Sequence, residues 1–166
     1  MIVVATPVEV ELVEKVLGDR AYEYYPIVVA GVGGANMYKS LQNIPRDTKI
    51  INIGYAGSVN SKIGTLGIVA ECKLYHPNVT YHEPIYSIGM LPVGDKEYEI
   101  VTCLTSNDFV LEADKNLEHC VFDMELAYIC AMGFEHVCSI KVVSDNLSLH
   151  QYDKTTGDND VKSSEI

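Results

Sequence analysis

The sequence predicts an α/β fold, a three-layer sandwich in which helices flank a central, mostly parallel or mixed sheet. Strand-like and helix-like segments alternate along the chain. The strand segments are continuous apolar runs, as expected when both faces of a sheet are covered. Each unusual segment (Thr6, Gly31–Gly34, Gly54–Gly57 and Ser144-Asp145) begins where such a run ends. That gathers them on one sheet edge, outside the carboxyl ends of the strands, where ligands of open α/β sheets bind.

Ile2-Val3-Val4-Ala5 reads as the first buried strand. Thr6-Pro7-Val8-Glu9 follows with the spacing of a capping box and proline at the first helical position. Leu12, Val13, Val16 and Leu17 form the apolar stripe of that helix, and Gly18 stops it. Glu11 lies on the face away from Leu12 and Val16, which by pattern alone is a solvated face. A second strand, Ile27-Val28-Val29-Ala30, runs into Gly31-Val32-Gly33-Gly34 and a helical stretch to about Leu41. The third, Lys49 to Ile53, ends in Gly54-Tyr55-Ala56-Gly57. From about Ile63 to Leu104 the chain is strand-like and turn-rich, with Tyr75, Tyr81, Tyr86 and Tyr98 spread through it. An apolar helix is predicted over about Asp123 to Met132, closed by Gly133. Val137 to Val143 is the next strand and ends at Ser144-Asp145-Asn146. No repeat or linker divides the chain, so residues 1–166 are expected to form one domain, with a polar tail of loop and helical stub over about 148–166.

Composition narrows the function. The 166 residues are 48% hydrophobic and 21% charged, which excludes disorder and coiled coil. Lys and Arg total 12 against 23 Asp and Glu, for a formal charge of −11, and the guanidinium groups belong to Arg20 and Arg46 alone. Phosphate affinity comes from Lys and Arg, so nucleic-acid binding is excluded as a main function. No apolar run approaches the roughly 20 residues that span a bilayer, and no basic leader precedes the first strand. Cys72, Cys103, Cys120, Cys130 and Cys138 form no C-x-x-C pair and read mostly as small core hydrophobes. Histidine and cysteine spacing offers no metal site, and no cofactor is expected. The sequons at Asn78 and Asn146 carry no weight in a chain expected in a reducing cytoplasm.

Individual motifs leave alternatives open. Backbone N–H groups around Gly33 are able to approach an anion or a sugar, but Gly31-Val32-Gly33-Gly34 also suits a tight turn. It is neither a complete G-x-G-x-x-G, because Asn36 occupies the last position, nor a P-loop. Asp123-Met124-Glu125 opens a helix that is apolar nearly all round, where unpaired carboxylates are costly. A capping role accounts for Asp123 equally well, whereas a dipole contact accounts less well for Glu125. Asp145 follows a buried strand directly at the ligand edge, where turn residues are also common.

Taken in order, Glu11, Gly31-Val32-Gly33, Asn52-Ile53-Gly54-Tyr55-Ala56-Gly57, Ser106-Asn107-Asp108-Phe109, Asp123-Met124-Glu125 and Val143-Ser144-Asp145 resemble the nucleoside phosphorylase superfamily. The resemblance, from Ile2 to about Asn146, is closest to its hydrolytic branch, the 5′-methylthioadenosine/S-adenosylhomocysteine nucleosidases. It implies Asp145 as the acid at N7 of a purine, steadied by Ser144, and Glu11 as the residue that activates water. It implies Glu125 at the ribose hydroxyls, Met124 beneath the sugar, Phe109 stacked on the base, and Ala56 and Gly57 on the pocket floor. Tyr86 and Met90-Leu91-Pro92 resemble the segment that reaches a neighbouring subunit, so a homodimer is expected.

Phosphorylases of this superfamily clamp phosphate with arginines, one just before the third strand's glycine turn. Asn52 stands there, so water is the expected nucleophile. The chain is a trimmed version of the family pattern. A hairpin strand before Ile27 and a helix between Pro92 and Ile100 are expected to be missing, and the closing helix to be a stub. Asp123 replaces a Glu, Asn107 a Gly, and Lys141 a frequent Arg. A silent nucleoside-binding module and a phosphate-dependent phosphorylase are the competing expectations.

Overall fold

A computed structural model describes residues 1–76, 85–91 and 93–157. Along the chain lie β1 (Ile2–Val4), α1 (Val8–Leu17), α2 (Ala21–Tyr24), β2 (Ile27–Val29), α3 (Gly34–Leu41) and β3 (Lys49–Gly57). Then come β4 (Leu66–Leu74), β5 (Ile85–Ser87), β6 (Glu99–Thr105), β7 (Cys120–Asp123), α4 (Leu126–Ala131), β8 (His136–Asp145) and α5 (Leu149–Thr156).

The strands form one mixed sheet. β2, β1, β3 and β8 are parallel neighbours in that order. Antiparallel to β8 runs β4, which is parallel to β6, itself parallel to β7. An antiparallel bridge between Gly57 and Phe122 then joins β7 back to β3. Five strands (β3, β8, β4, β6 and β7) therefore close into a ring, and β2 and β1 extend it on one side. β5 pairs antiparallel with the second half of β4.

Strand alternation explains the continuous apolar runs. In β1, Ile2 and Val4 pack with Leu12, Val13 and Val16 of α1, together with Ile53 and Ile140. Val3, between them, faces the opposite layer with Met37 and Leu41 of α3 and Leu126 and Ile129 of α4. Both faces are thus covered, and the three-layer sandwich is as predicted. Among the described residues no helix is long and apolar enough to cross a membrane.

Two local expectations change, at α4 and in the tail, while among the described residues the hairpin strand before Ile27 is missing as expected. The helix predicted from Asp123 starts at Leu126, because Cys120–Asp123 is drawn into the sheet beside β6. Where the hairpin strand was expected to be missing, the one-turn α2 stands instead. The tail carries an eight-residue helix, α5, whose Ser148 hydroxyl accepts a hydrogen bond from the Gln151 N–H at 3.2 Å. No helix occupies residues 93–98. Tyr81, Pro92 and the Asn78 sequon lie outside the described residues.

Candidate active site

At the carboxyl ends of β1, β3, β7 and β8 a cleft is lined by Thr6, Glu9, Tyr55, Phe109, Glu125 and Asp145, with Ala56, Gly57, Asp123, Met124, Ser144 and Tyr152 completing the wall. Every substrate-contacting residue expected from the sequence lines it except Gly33, which joins through its N–H, 3.1 Å from Glu125 Oε2. Glu11 does not line it. Its side chain is exposed on the outer face of α1, and the buried acid is Glu9, two residues earlier.

Among the described residues Thr6 Oγ1 has no hydrogen-bond partner, so of the predicted capping box only the half made by its fourth residue, Glu9, forms. Its Oε1 accepts the N–H groups of Ala5 (2.9 Å) and Thr6 (3.1 Å), the backward reach that such a box requires. Oε2 accepts the Tyr55 N–H at 2.7 Å, so one side chain ties α1 to β3. Gly54 makes that approach possible, since a Cβ there would stand 2.5 Å from Glu9 Oε2. Burial pushes the Glu9 carboxyl above the ordinary range, against the pull of Lys141 and the three backbone donors.

A β-bulge places Asp145. Ala56 of β3 opposes Val143 of β8 and Gly57 opposes Asp145, which leaves Ser144 as the extra residue. The Ser144 hydroxyl donates to Asp145 Oδ1 at 2.7 Å, and the N–H groups of Leu147 and Ser148 donate to Oδ2 at 2.9 and 3.3 Å. Burial raises the Asp145 pKa, and these three donors oppose it. A Cβ on Gly57 would stand 3.0 Å from Oδ2, so glycine leaves the space the carboxylate uses.

Beneath the cleft sits a buried cation. Lys141 of β8 is 1% exposed, and its Nζ is 2.9 Å from Asp123 Oδ2. Asp123 also accepts the Thr105 hydroxyl at 2.5 Å and the Leu126 N–H at 2.8 Å. Burial works against charge on Asp123, but Lys141 and Thr105 outweigh it and hold its pKa below the usual range. Burial likewise opposes the Lys141 charge, and Asp123 leads the anions that raise its pKa regardless. Glu125 has no such partner. Burial first, then the charge of Asp123, push its pKa up to about 8. Asp123 is therefore both helix cap and ion-pair partner, one layer behind Glu125.

Phe109 and Tyr152 meet edge to face across the cleft, with centroids 5.6 Å apart, and leave a cavity of only about 50 Å³. No guanidinium group enters it: Arg46 donates to the carbonyls of Leu41 and Ile44 and covers the Phe134 ring, while Arg20 is exposed. Asn52 is buried, accepting the Ser139 hydroxyl at 2.8 Å. Among the described residues no group of three His, Cys, Asp or Glu side chains is arranged to hold a metal ion.

Sequence reasoning missed Glu9 and Tyr152 as site residues. The signal for Glu9 was present, because the capping-box acid has to turn back toward the strand end. For Tyr152, an aromatic in a polar tail, the pattern carried none.

A ring-closed mixed sheet in three layers, with its cleft at the carboxyl strand ends, defines the class. Its fold is that of the solved 5′-methylthioadenosine/S-adenosylhomocysteine nucleosidases. An Asp-to-Asn variant of the Chlamydia trachomatis enzyme, bound to methylthioadenosine, matches with a TM-score of 0.70 at 16% identity, over 99% of this chain and 90% of that one. The S. pneumoniae nucleosidase with a transition-state inhibitor matches with 0.69 at 20% identity, over 98% and 92%. The Helicobacter pylori nucleosidase matches with 0.69 at 14% identity, over 99% and 93%. No family model matches the chain, and no curated protein does.

Proposed function

We propose that the protein hydrolyses the N-glycosidic bond of a purine nucleoside, of the methylthioadenosine type or a related adenosine derivative, to free base and ribose moiety. One observation carries this reading: Glu9, Glu125 and Asp145, from three elements, are buried around a single cleft beside Phe109.

Breaking that bond leaves an oxocarbenium-like sugar and a base that gathers negative charge. Asp145, whose pKa burial raises, is the acid at the base, and Ser144 with the Leu147 and Ser148 amides steadies it. Glu9 takes the role first assigned to Glu11 and activates water: its Oε2 accepts one backbone N–H and keeps further acceptor capacity, and the residue lines the cleft. Glu9 meets β3 at Gly54 and Asp145 meets it at Gly57, roughly 10 Å of strand apart, so the two carboxylates stand at separate ends of the cleft. Glu125 engages the ribose hydroxyls, with Met124 beneath the ring. Solved relatives of this fold hold methylthioadenosine and adenine. The absence of arginine from the cleft wall favours water over phosphate as nucleophile. A homodimer joined near Tyr86, Met90 and Leu91, working in the cytoplasm, completes the reading, with light scattering as its test.

Binding without turnover is the second reading. It is favoured by the roughly 50 Å³ cavity, smaller than the 300 Å³ or more of ordinary ligand pockets, because the Phe109–Tyr152 pair has to part before a nucleoside enters. The deciding experiment is chromatography of methylthioadenosine and inosine incubated with the protein, with and without phosphate. Adenine released equally in both buffers, and lost in Asp145→Asn with its circular dichroism unchanged, is the expected result. Base appearing only with phosphate overturns hydrolysis. Calorimetric binding with no base released favours the second reading.

A further inference from the structure

Away from the cleft, two thiols meet between layers. Cys72 in β4 and Cys130 in α4 have their Sγ atoms 3.5 Å apart. Cys72 is fully buried, whereas Cys130 is half-buried and lines a cavity of about 320 Å³ with Tyr86, Phe134 and Cys138 in its wall. Lys49 and His136, at the amino ends of β3 and β8, border the same cavity, which puts it at the sheet edge opposite the carboxylates. In the single chain one thiol is therefore open to a small solute and the other is reachable only through it. Met90 and Leu91, with Tyr86 the contact of the proposed homodimer, also line this cavity, so peroxide enters when that face is free.

We propose that Cys72 and Cys130 are a disulfide-forming pair oxidised by hydrogen peroxide entering through this cavity. The Cys130 thiolate attacks one peroxide oxygen and the O–O bond breaks. The departing hydroxide takes up the thiol proton as water, and Cys130 becomes a sulfenic acid. Cys72 Sγ then attacks the Cys130 sulfur, an S–S bond replaces the S–O bond, and hydroxide leaves with the Cys72 proton as a second water. Two thiols lose two electrons, and one peroxide is reduced to two waters. The order of attack follows from access, and it agrees with the hydrogen bond to Cys130 and the burial that push the Cys72 thiol pKa upward. The 3.5 Å Sγ–Sγ contact is the one from which the roughly 2.05 Å bond of a disulfide would form. The bridge fastens α4, the helix that opens beside Glu125, onto β4. It is independent of any nucleoside chemistry.

The test is mass spectrometry of the full chain after brief exposure to hydrogen peroxide, quenching and alkylation in denaturant. The expected wild-type result is a chain that carries two fewer alkyl groups than the unexposed control, and a linked Cys72–Cys130 peptide, about 2 Da lighter than its two thiol peptides together, that dithiothreitol separates, with Cys103 and Cys138 still alkylated. Cys130→Ser should give no linked peptide. In Cys72→Ala, Cys130 should advance to the sulfinic acid, a gain of about 32 Da. Wild-type mapping decides the matter even if that variant folds poorly. The proposal is overturned if wild-type Cys130 reaches the sulfinic acid while Cys72 stays reduced, or if the bridge joins another pair. It is equally overturned if both thiols survive peroxide that consumes free glutathione.

Discussion

Glu9 and Glu11 sit two places apart on one helix, and that offset sends one into the interior and the other to solvent. A helix advances about 100° per residue, so positions two apart face nearly opposite ways. If Glu9 activates water, Glu9→Gln should lower kcat/KM for base release by about 10²- to 10⁴-fold, whereas Glu11→Gln should stay within about twofold of wild type. Equal losses in the two variants would remove Glu9 from the mechanism. Glu125 makes a prediction about pH. Its pKa stands at about 8 in the folded protein and near the ordinary 4.5 when unfolded. Between those values the folded state holds the extra proton, so the stability attached to it is full below the lower pKa and is lost as pH rises through the upper one. In denaturant titrations, the stability of wild type relative to Glu125→Gln should fall on the order of 1 kcal/mol or more between about pH 5 and pH 8.5. A difference that does not change with pH would mean that Glu125 is already ionised at neutral pH.

Secondary elements explain why some of this was readable in advance. β1, β3 and β8 announce themselves because an apolar run with no polar alternation has few other uses, and the glycine and aspartate segments at their ends therefore fell on one edge. β7 did not announce itself. Its four residues pair with β6 and, through one bridge, with β3, and the Asp123-Met124-Glu125 sequence at its end reads equally well as a helix start. Asp123 in fact caps α4 from the strand, through the Leu126 N–H. At α5, polarity concealed a helix whose one buried residue is Tyr152, packed on Phe109. Such a helix depends on its cap, because short segments gain little from propensity alone. Ser148→Ala should cost about 1 kcal/mol in denaturant unfolding, with the midpoint moving and the slope unchanged. No shift in the midpoint would mean that Tyr152 packing alone holds α5.

Across the whole molecule, ring closure of the sheet sets charges from distant parts of the chain against one another. Glu9 comes from α1, Asp123 ends β7, Glu125 precedes α4, and Lys141 lies in β8. A lysine inside Ser139-Ile140-Lys141-Val142-Val143 gives no sign in sequence of whether it reaches water or an acid 18 residues earlier. That contact exists because β7 returns to β3 through Gly57 and Phe122. Lys141 is the buried cation among three buried carboxylates, so its loss should be felt well beyond one ion pair. Lys141→Met leaves Asp123 without its partner and should cost about 3–5 kcal/mol, the usual penalty for an orphaned buried charge. Adding Asp123→Asn should recover part of that, because the amide oxygen still accepts the Leu126 N–H and the amide NH2 can donate to the Thr105 hydroxyl, with no cation demanded. The cost of the single variant should also shrink below about pH 5, where the carboxylates left behind take up protons. Double-mutant unfolding at two pH values measures all three effects. If the single and double variants are equally unstable at both, Lys141 acts by filling space between β3 and β8, and its charge contributes nothing.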